Sequence, residues 1–198
     1  RDLPLMFAVG DELDALRVAR AAAEFGRAAV VRGSGDEWRR LEAIAGTGLP
    51  FIVPLAVADA PAVDTVSDQR RATLRDLVAW EQTPTNVRRL LDAGVEVSLT
   101  TGSLPRGQRF DRTLRTHLEH GLTVDEVLAA MTVTPARGLG VDDRYGRVRV
   151  GGSATFVVLD GEPFAEDAEV RDLWIDGRRH EVSAPPAATI EGRWTVAS

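Results

Sequence analysis

Three places in this 198-residue chain bring together side chains that could do chemistry. His117 and His120 stand at i and i+3 with Glu119 between them, a spacing that puts two imidazoles near each other on a helix and could hold zinc. The text is HLEH, however, which matches neither HExxH nor HxxEH, and no third ligand accompanies the pair. His117 also shares a helical face with Phe110, Leu114 and Leu118, so a half-buried histidine beside a surface one is the expectation. Gly33-Ser34-Gly35 lies after an apolar strand and before a capped helix, where backbone N–H groups can cradle a phosphate, with Arg32 alongside. It lacks the full GxGxxG spacing, and a tight turn from strand to helix is expected instead. The third place is Val95–Pro105, VEVSLTTGSLP, a strand that runs into small polar residues. Ser34, Ser103 and Ser153 occupy no GxSxG elbow, which leaves a serine hydrolase without support. His180, beyond an Asp-Gly turn and beside Arg178 and Arg179, reads as a surface edge.

Composition removes other chemistries. All 24 Lys+Arg residues are arginine, so Schiff-base catalysis, a P-loop lysine and a carbamylated lysine are absent. There is no cysteine, hence no thiolate nucleophile, disulfide or thiolate metal site. A net charge of −6 argues against nucleic acid as a partner. No apolar run approaches the roughly 18–20 residues that span a bilayer. The opening at Arg1, two residues before LPLMFAV, reads as a processed or trimmed start, and the compartment stays open, export to the periplasm included. The acidic stretch Glu162–Glu169 reads as a solvated loop, and the 4 Trp as packing residues.

The elements that must position these residues follow a clear rhythm. Leu3–Val9, Ala28–Val31, Leu49–Leu55 and Val95–Thr101 are short apolar runs suited to strands buried on both faces. Between them, Asp11–Phe25 has helical spacing, Asp36 caps a helix carrying Trp38, Leu41 and Ile44, and Ala56–Gln69 reads as a long loop. Arg70–Trp80 is one helix, and Thr83-Pro84 caps the next. Alternation of apolar strands with helices predicts a parallel sheet. Four strands are too few for a closed eight-stranded barrel and fit half of one, or a small open sheet. Further on, Phe110–Leu118 is helical, Thr123–Glu126 is a capping box, and Pro135–Gly140 closes a short turn. From Arg147 the chain turns to β structure: Thr155–Leu159, then Leu173–Ile175 and Arg178–Val182 around the hairpin signal Asp176-Gly177. Ala184–Ala188 reads as a linker and Thr189–Val196 as a last strand. The expected organisation is a β/α unit over residues 1–146 and a β segment over 147–198.

LTVDEVLAAMTVTPARGLGVDDRYGRVRVGGSATFVVLDGEP, followed by VRDLWIDGRR, resembles the carboxyl-terminal end of the amidohydrolase superfamily, especially its imidazolonepropionase-like branch. The resemblance implies part of a (β/α)₈ TIM-type barrel, about half, followed by a small β-sandwich-like carboxyl-terminal segment. It also implies hydrolysis of C–N and related bonds with one or two divalent metals at the carboxyl ends of barrel strands. The family's metal ligands do not carry over. Gly102 stands where the family has the aspartate of its final strand, Ala8 falls nearest one histidine and Arg32 nearest another, and no histidine precedes His117. Thr100, Thr101 and Ser103 could line a small polar pocket with Ala8, Arg32 and Gly102.

These residues predict neither metal nor other cofactor, and a catalytically degenerate amidohydrolase-like module, a structural or interaction subunit of a larger protein or assembly. The open edges of a half-barrel call for a protein partner or a missing chain segment. The alternative is the carboxyl-terminal part of a metal-dependent hydrolase of cyclic amides or dipeptide-like C–N bonds.

Overall fold

The structure, a computed structural model, describes residues 4–104, 106 and 109–183. The expected linker and last strand after Ser183 lie outside the described residues. The chain divides between Gly152 and Ser153 into two compact units.

In the first unit, β1 (Leu5–Ala8), β2 (Ala29–Arg32), β3 (Phe51–Pro54) and β4 (Val97–Thr100) form one sheet in the order β1-β2-β3-β4, every pair parallel. Side chains alternate across the sheet, and the register sorts them. Val31, Phe51 and Val97 share a row and are buried. One residue further along β2, β3 and β4, the row Arg32, Ile52 and Ser98 continues to Ala8 on β1, and none of its members is fully buried. The sheet is therefore packed on one face and more open on the other. Edge strand β1 is exposed at all four residues, Met6 at 68%.

Helices connect the strands. α1 (Glu12–Glu24) begins at Asp11, whose carboxylate accepts from the N–H groups of Leu13 and Asp14 at 2.9 and 2.8 Å. A 3-10 turn, Glu37–Arg40, leads into the short α2 (Leu41–Ala45), and Asp36 makes no side-chain cap. The stretch expected to be a loop to Gln69 contains α3 (Val66–Arg71), and the single helix expected over 70–80 is interrupted. The chain is extended at Ala72 and Thr73, and α4 (Leu74–Gln82) starts afresh with a capping box between Thr73 and Asp76. The Thr83 hydroxyl, expected to cap α5 (Asn86–Asp92), instead donates back to the carbonyl of Ala79 at 2.6 Å, and Pro84 sits in a 3-10 turn before it. α6 (Phe110–Glu119), α7 (Val124–Met131) and α8 (Val133–Gly138) complete the unit. Thr123 and Glu126 form the expected capping box, and Glu126 also accepts from Arg88 of α5 at 2.5 Å. Gly146 comes so close to α8 that a Cβ there would lie 2.9 Å from Ala136 Cβ and 3.0 Å from the carbonyl oxygen of Thr132, with φ already at +88°.

The second unit is an antiparallel sheet of β5 (Phe156–Asp160), β6 (Glu169–Ile175) and β7 (Arg178–Glu181). Asp176 and Gly177, both with positive φ, make the two-residue turn of the β6–β7 hairpin. Phe156 and Trp174 stack across the strands with ring centroids 5.6 Å apart.

Candidate functional site at the strand ends

In parallel α/β structures ligands collect at the carboxyl ends of the strands. Arg32 is the last residue of β2 and Thr100 of β4. They share a face, because Ser98 lies in the row of Arg32 and Thr100 is two residues on. The Arg32 side chain reaches past β3, and its Nη2 donates to Ser103 Oγ at 3.0 Å. Thr100 Oγ1 accepts from the N–H of Gly102 at 3.1 Å, a local turn of the kind threonine favours. The N–H of Leu104 closes the turn onto the carbonyl of Thr101 at 3.0 Å. A Cβ at Gly102 would lie 3.3 Å from Thr100 Oγ1 and 3.6 Å from Arg32 Nη2. Arg32, Thr100, Gly102 and Ser103 are thus drawn together, with Ala8 paired to Arg32 in the sheet. Thr101 is exposed in the same turn.

The resemblance implies divalent metal here, and these side chains do not fit it. Ala8 and Gly102 have no ligand atom, and Arg32 brings a permanent positive charge that repels a cation. Among the described residues no three of His, Cys, Asp and Glu gather in a way that could hold a metal ion. Arg32 takes part in no ion pair among them.

One residue beyond Arg32 the chemistry reverses. Gly33-Ser34-Gly35 does hold an anion, but it is the chain's own Glu37. The carboxylate, fully buried, accepts from the N–H groups of Ser34 and Gly35 at 2.7 and 3.2 Å and from Asn86 Nδ2 at 2.7 Å. Asn86 Oδ1 in turn accepts from the N–H of Trp38 at 2.8 Å. A side chain at Gly33 would run into the carboxylate, since its Cβ would stand 2.2 Å from Oε1. The tight turn is as expected. Glu37 and Asn86 are the polar residues that sequence reasoning missed, and only the turn glycines hinted at them.

His117 is more deeply buried than expected, at 1% exposure. Its Nδ1 lies 3.1 Å from the carbonyl oxygen of Pro84 and its Nε2 3.0 Å from that of Leu55. Both ring nitrogens face buried carbonyl oxygens, so neither is open to a metal shared with the exposed His120. Burial pushes the imidazole below its ordinary pKa, against the two carbonyls, which favour the protonated ring, and with a smaller push from His120. His180 is exposed, as expected of an edge.

The amidohydrolase family pattern matches residues 70–182, and the chain belongs to that family. Within it, the chain is imidazolonepropionase-like. It is 32% identical over 84 residues to an imidazolonepropionase of Thermoplasma acidophilum, 41% of this chain and 20% of that protein. It is 40% identical over 78 residues to an imidazolonepropionase of Micrococcus luteus, 37% of this chain and 19% of that one. Its fold is similar to that of the crystal structure of an amidohydrolase from Thermotoga maritima, with a TM-score of 0.67 and 24% identity over 89% of this chain and 43% of that one. The chain spans about a fifth of the length of the imidazolonepropionases it matches and under half of the solved structure. Among the described residues no helix is long and apolar enough to cross a membrane.

Proposed function

We propose that this chain is a non-catalytic amidohydrolase-like module, a structural or interaction part of a larger protein or assembly. The observation that carries this reading is the Arg32 guanidinium, whose Nη2 lies 3.6 Å from where a Cβ at Gly102 would stand. A fixed cation and two hydroxyl-bearing residues take the place where the family gathers metal ligands. On this reading the sheet β1–β4 is about half of a barrel and β5–β7 belongs to a small sandwich, with the β/α part over 1–146 and the β segment over 147–198. The exposed edge strand β1 supports a partner chain, or a further segment, lying against it.

The test is Gly102→Asp in the full chain, followed by zinc content and hydrolysis of dipeptides and cyclic amides. No bound zinc and no turnover are expected, because the new carboxylate pairs with Arg32. Stoichiometric zinc in the unaltered protein, or turnover in the variant, would overturn the reading.

One observation favours a second reading, the carboxyl-terminal part of a C–N hydrolase: the chain spans under half the length of the Thermotoga maritima amidohydrolase it resembles. The intact mass of the native polypeptide tests this second reading. A mass near 21.4 kDa rules it out. A mass of about twice that keeps the hydrolase in play, with Gly102 and Arg32 as its chief obstacles.

A further inference from the structure

The chain carries a net charge of −6, yet one hollow on its first unit is positive. It measures about 250 Å³ and is lined by Val133, Arg137, Asp142, Tyr145, Arg147 and Arg149. Three guanidiniums against one carboxylate leave a local excess of two positive charges. None of the three arginines enters an ion pair among the described residues. The walls are built rather than incidental. The N–H of Val141 donates to the carbonyl of Ala136 at 2.9 Å, and those of Arg144 and Tyr145 both donate to the carbonyl of Val141 at 3.0 Å, fastening the segment to the end of α8. Gly146 lets the turn lie flush on that helix. Arg149 then folds back, donating to the main-chain carbonyls of Asp142 and Asp143, while Arg144 lies over the Tyr145 ring, 5.4 Å from its centroid.

We infer that this hollow is a binding site for a phosphoryl dianion. An excess of two positive charges balances a dianion better than a single carboxylate. Arginine's planar fork donates two parallel hydrogen bonds to phosphate oxygens. The volume of about 250 Å³ lies just below the usual range for ligand sites, room for a phosphoryl group with the rest of a small molecule reaching out of the open side. The backbone that carries Arg147 and Arg149 is fastened to one helix and Arg149 is already held at two carbonyls, so ordering on binding falls mainly on the exposed side chains of Arg137 and Arg147. The site is separate from the strand ends and stands or falls independently of the proposed function.

The experiment is a calorimetric titration of the full chain at fixed ionic strength with inorganic phosphate, glycerol 1-phosphate and acetate, repeated with Arg147→Gln and Arg137→Gln. The Arg147 side chain makes no hydrogen bond among the described residues, so its replacement leaves the fold intact, which far-UV circular dichroism checks. Saturable phosphate binding at least tenfold tighter than acetate, weakened at least tenfold by Arg147→Gln, is expected. Equal affinity for phosphate and its glycerol ester makes free phosphate the ligand, and tighter binding of the ester makes it a phosphorylated small molecule. Absence of saturation, acetate binding as tight as phosphate, or affinity unmoved by both arginine variants would overturn the site.

Discussion

Two neighbouring residues at the end of β2 lead to opposite kinds of polar structure. From Gly33 onward the chain closes on a buried carboxylate, with three donors on Glu37 and Asn86 bridging to Trp38. At Arg32 the chain opens outward, and a half-exposed guanidinium has one side-chain partner among the described residues, Ser103. The buried network is satisfied from within and acts on shape: it holds a turn against α5. The open cluster has donors to spare, since a guanidinium carries five, and shape does not depend on it. In a fold whose strand ends are the usual place for chemistry, the groups most completely bonded are the structural ones, and function is to be sought where bonding is incomplete.

That contrast can be broken by measurement, and the largest effect belongs to the buried side. Glu37→Ala strands three donors in the interior, and a loss of about 4 kcal/mol is expected, read by urea unfolding. A loss under about 1 kcal/mol would mean that the network is not the clamp described. Arg32→Gln, by contrast, should leave the urea midpoint almost unmoved, within about 0.5 kcal/mol.

His117→Leu comes next, at about 2 kcal/mol, because one buried carbonyl, that of Leu55 or Pro84, loses the imidazole N–H it accepts from. The same residue sharpens the comparison through pH. Its folded pKa lies below the ordinary value of 6.5, so below about pH 6.5 the unfolded chain binds the proton more readily than the folded one. Stability is then complete above about pH 6.5 and declines as pH falls toward the folded pKa. Urea midpoints measured between about pH 5 and 7 should show this slope in the native chain and a shallower one in His117→Gln.

Thr123→Ala removes the capping hydroxyl of α7 and should cost about 1 kcal/mol, measurable as a lower thermal midpoint. The smallest effect is reserved for an exposed pair. Arg17 and Asp14 lie within one turn of α1, with side chains 71% and 44% exposed. Arg17→Ala is expected to change stability by less than about 0.5 kcal/mol, and a larger change in thermal midpoint would show that outward-facing charges matter more than the comparison allows.

Features governed by neighbours in sequence were legible without a structure. The Thr123–Glu126 box and the Asp176-Gly177 hairpin rest on contacts within a few residues, and the four strands showed as short apolar runs. The break between α3 and α4 was equally local, written as Thr73 and Asp76 three apart, but the apolar stripe of Leu74, Leu77 and Val78 masked it. Glu37 was illegible for another reason. A lone glutamate reads as a surface charge, and what buries it is Asn86, 49 positions away. His117 likewise meets its two carbonyl partners from 33 and 62 positions away. The grouping of Arg32 with Ser103 rests on strand order, which the sequence did not state. It did supply the residues.

Gly146 carries a consequence for how the gene can vary. With the Ala136 methyl and a backbone oxygen where a Cβ would go, even alanine, the least intrusive replacement, pushes the 141–149 turn off its helix. Every missense change at this codon is therefore a change of loop position as well as of residue. Random mutagenesis with selection for a folded product should leave this codon nearly silent while its neighbours Arg144 and Arg147 accumulate substitutions freely.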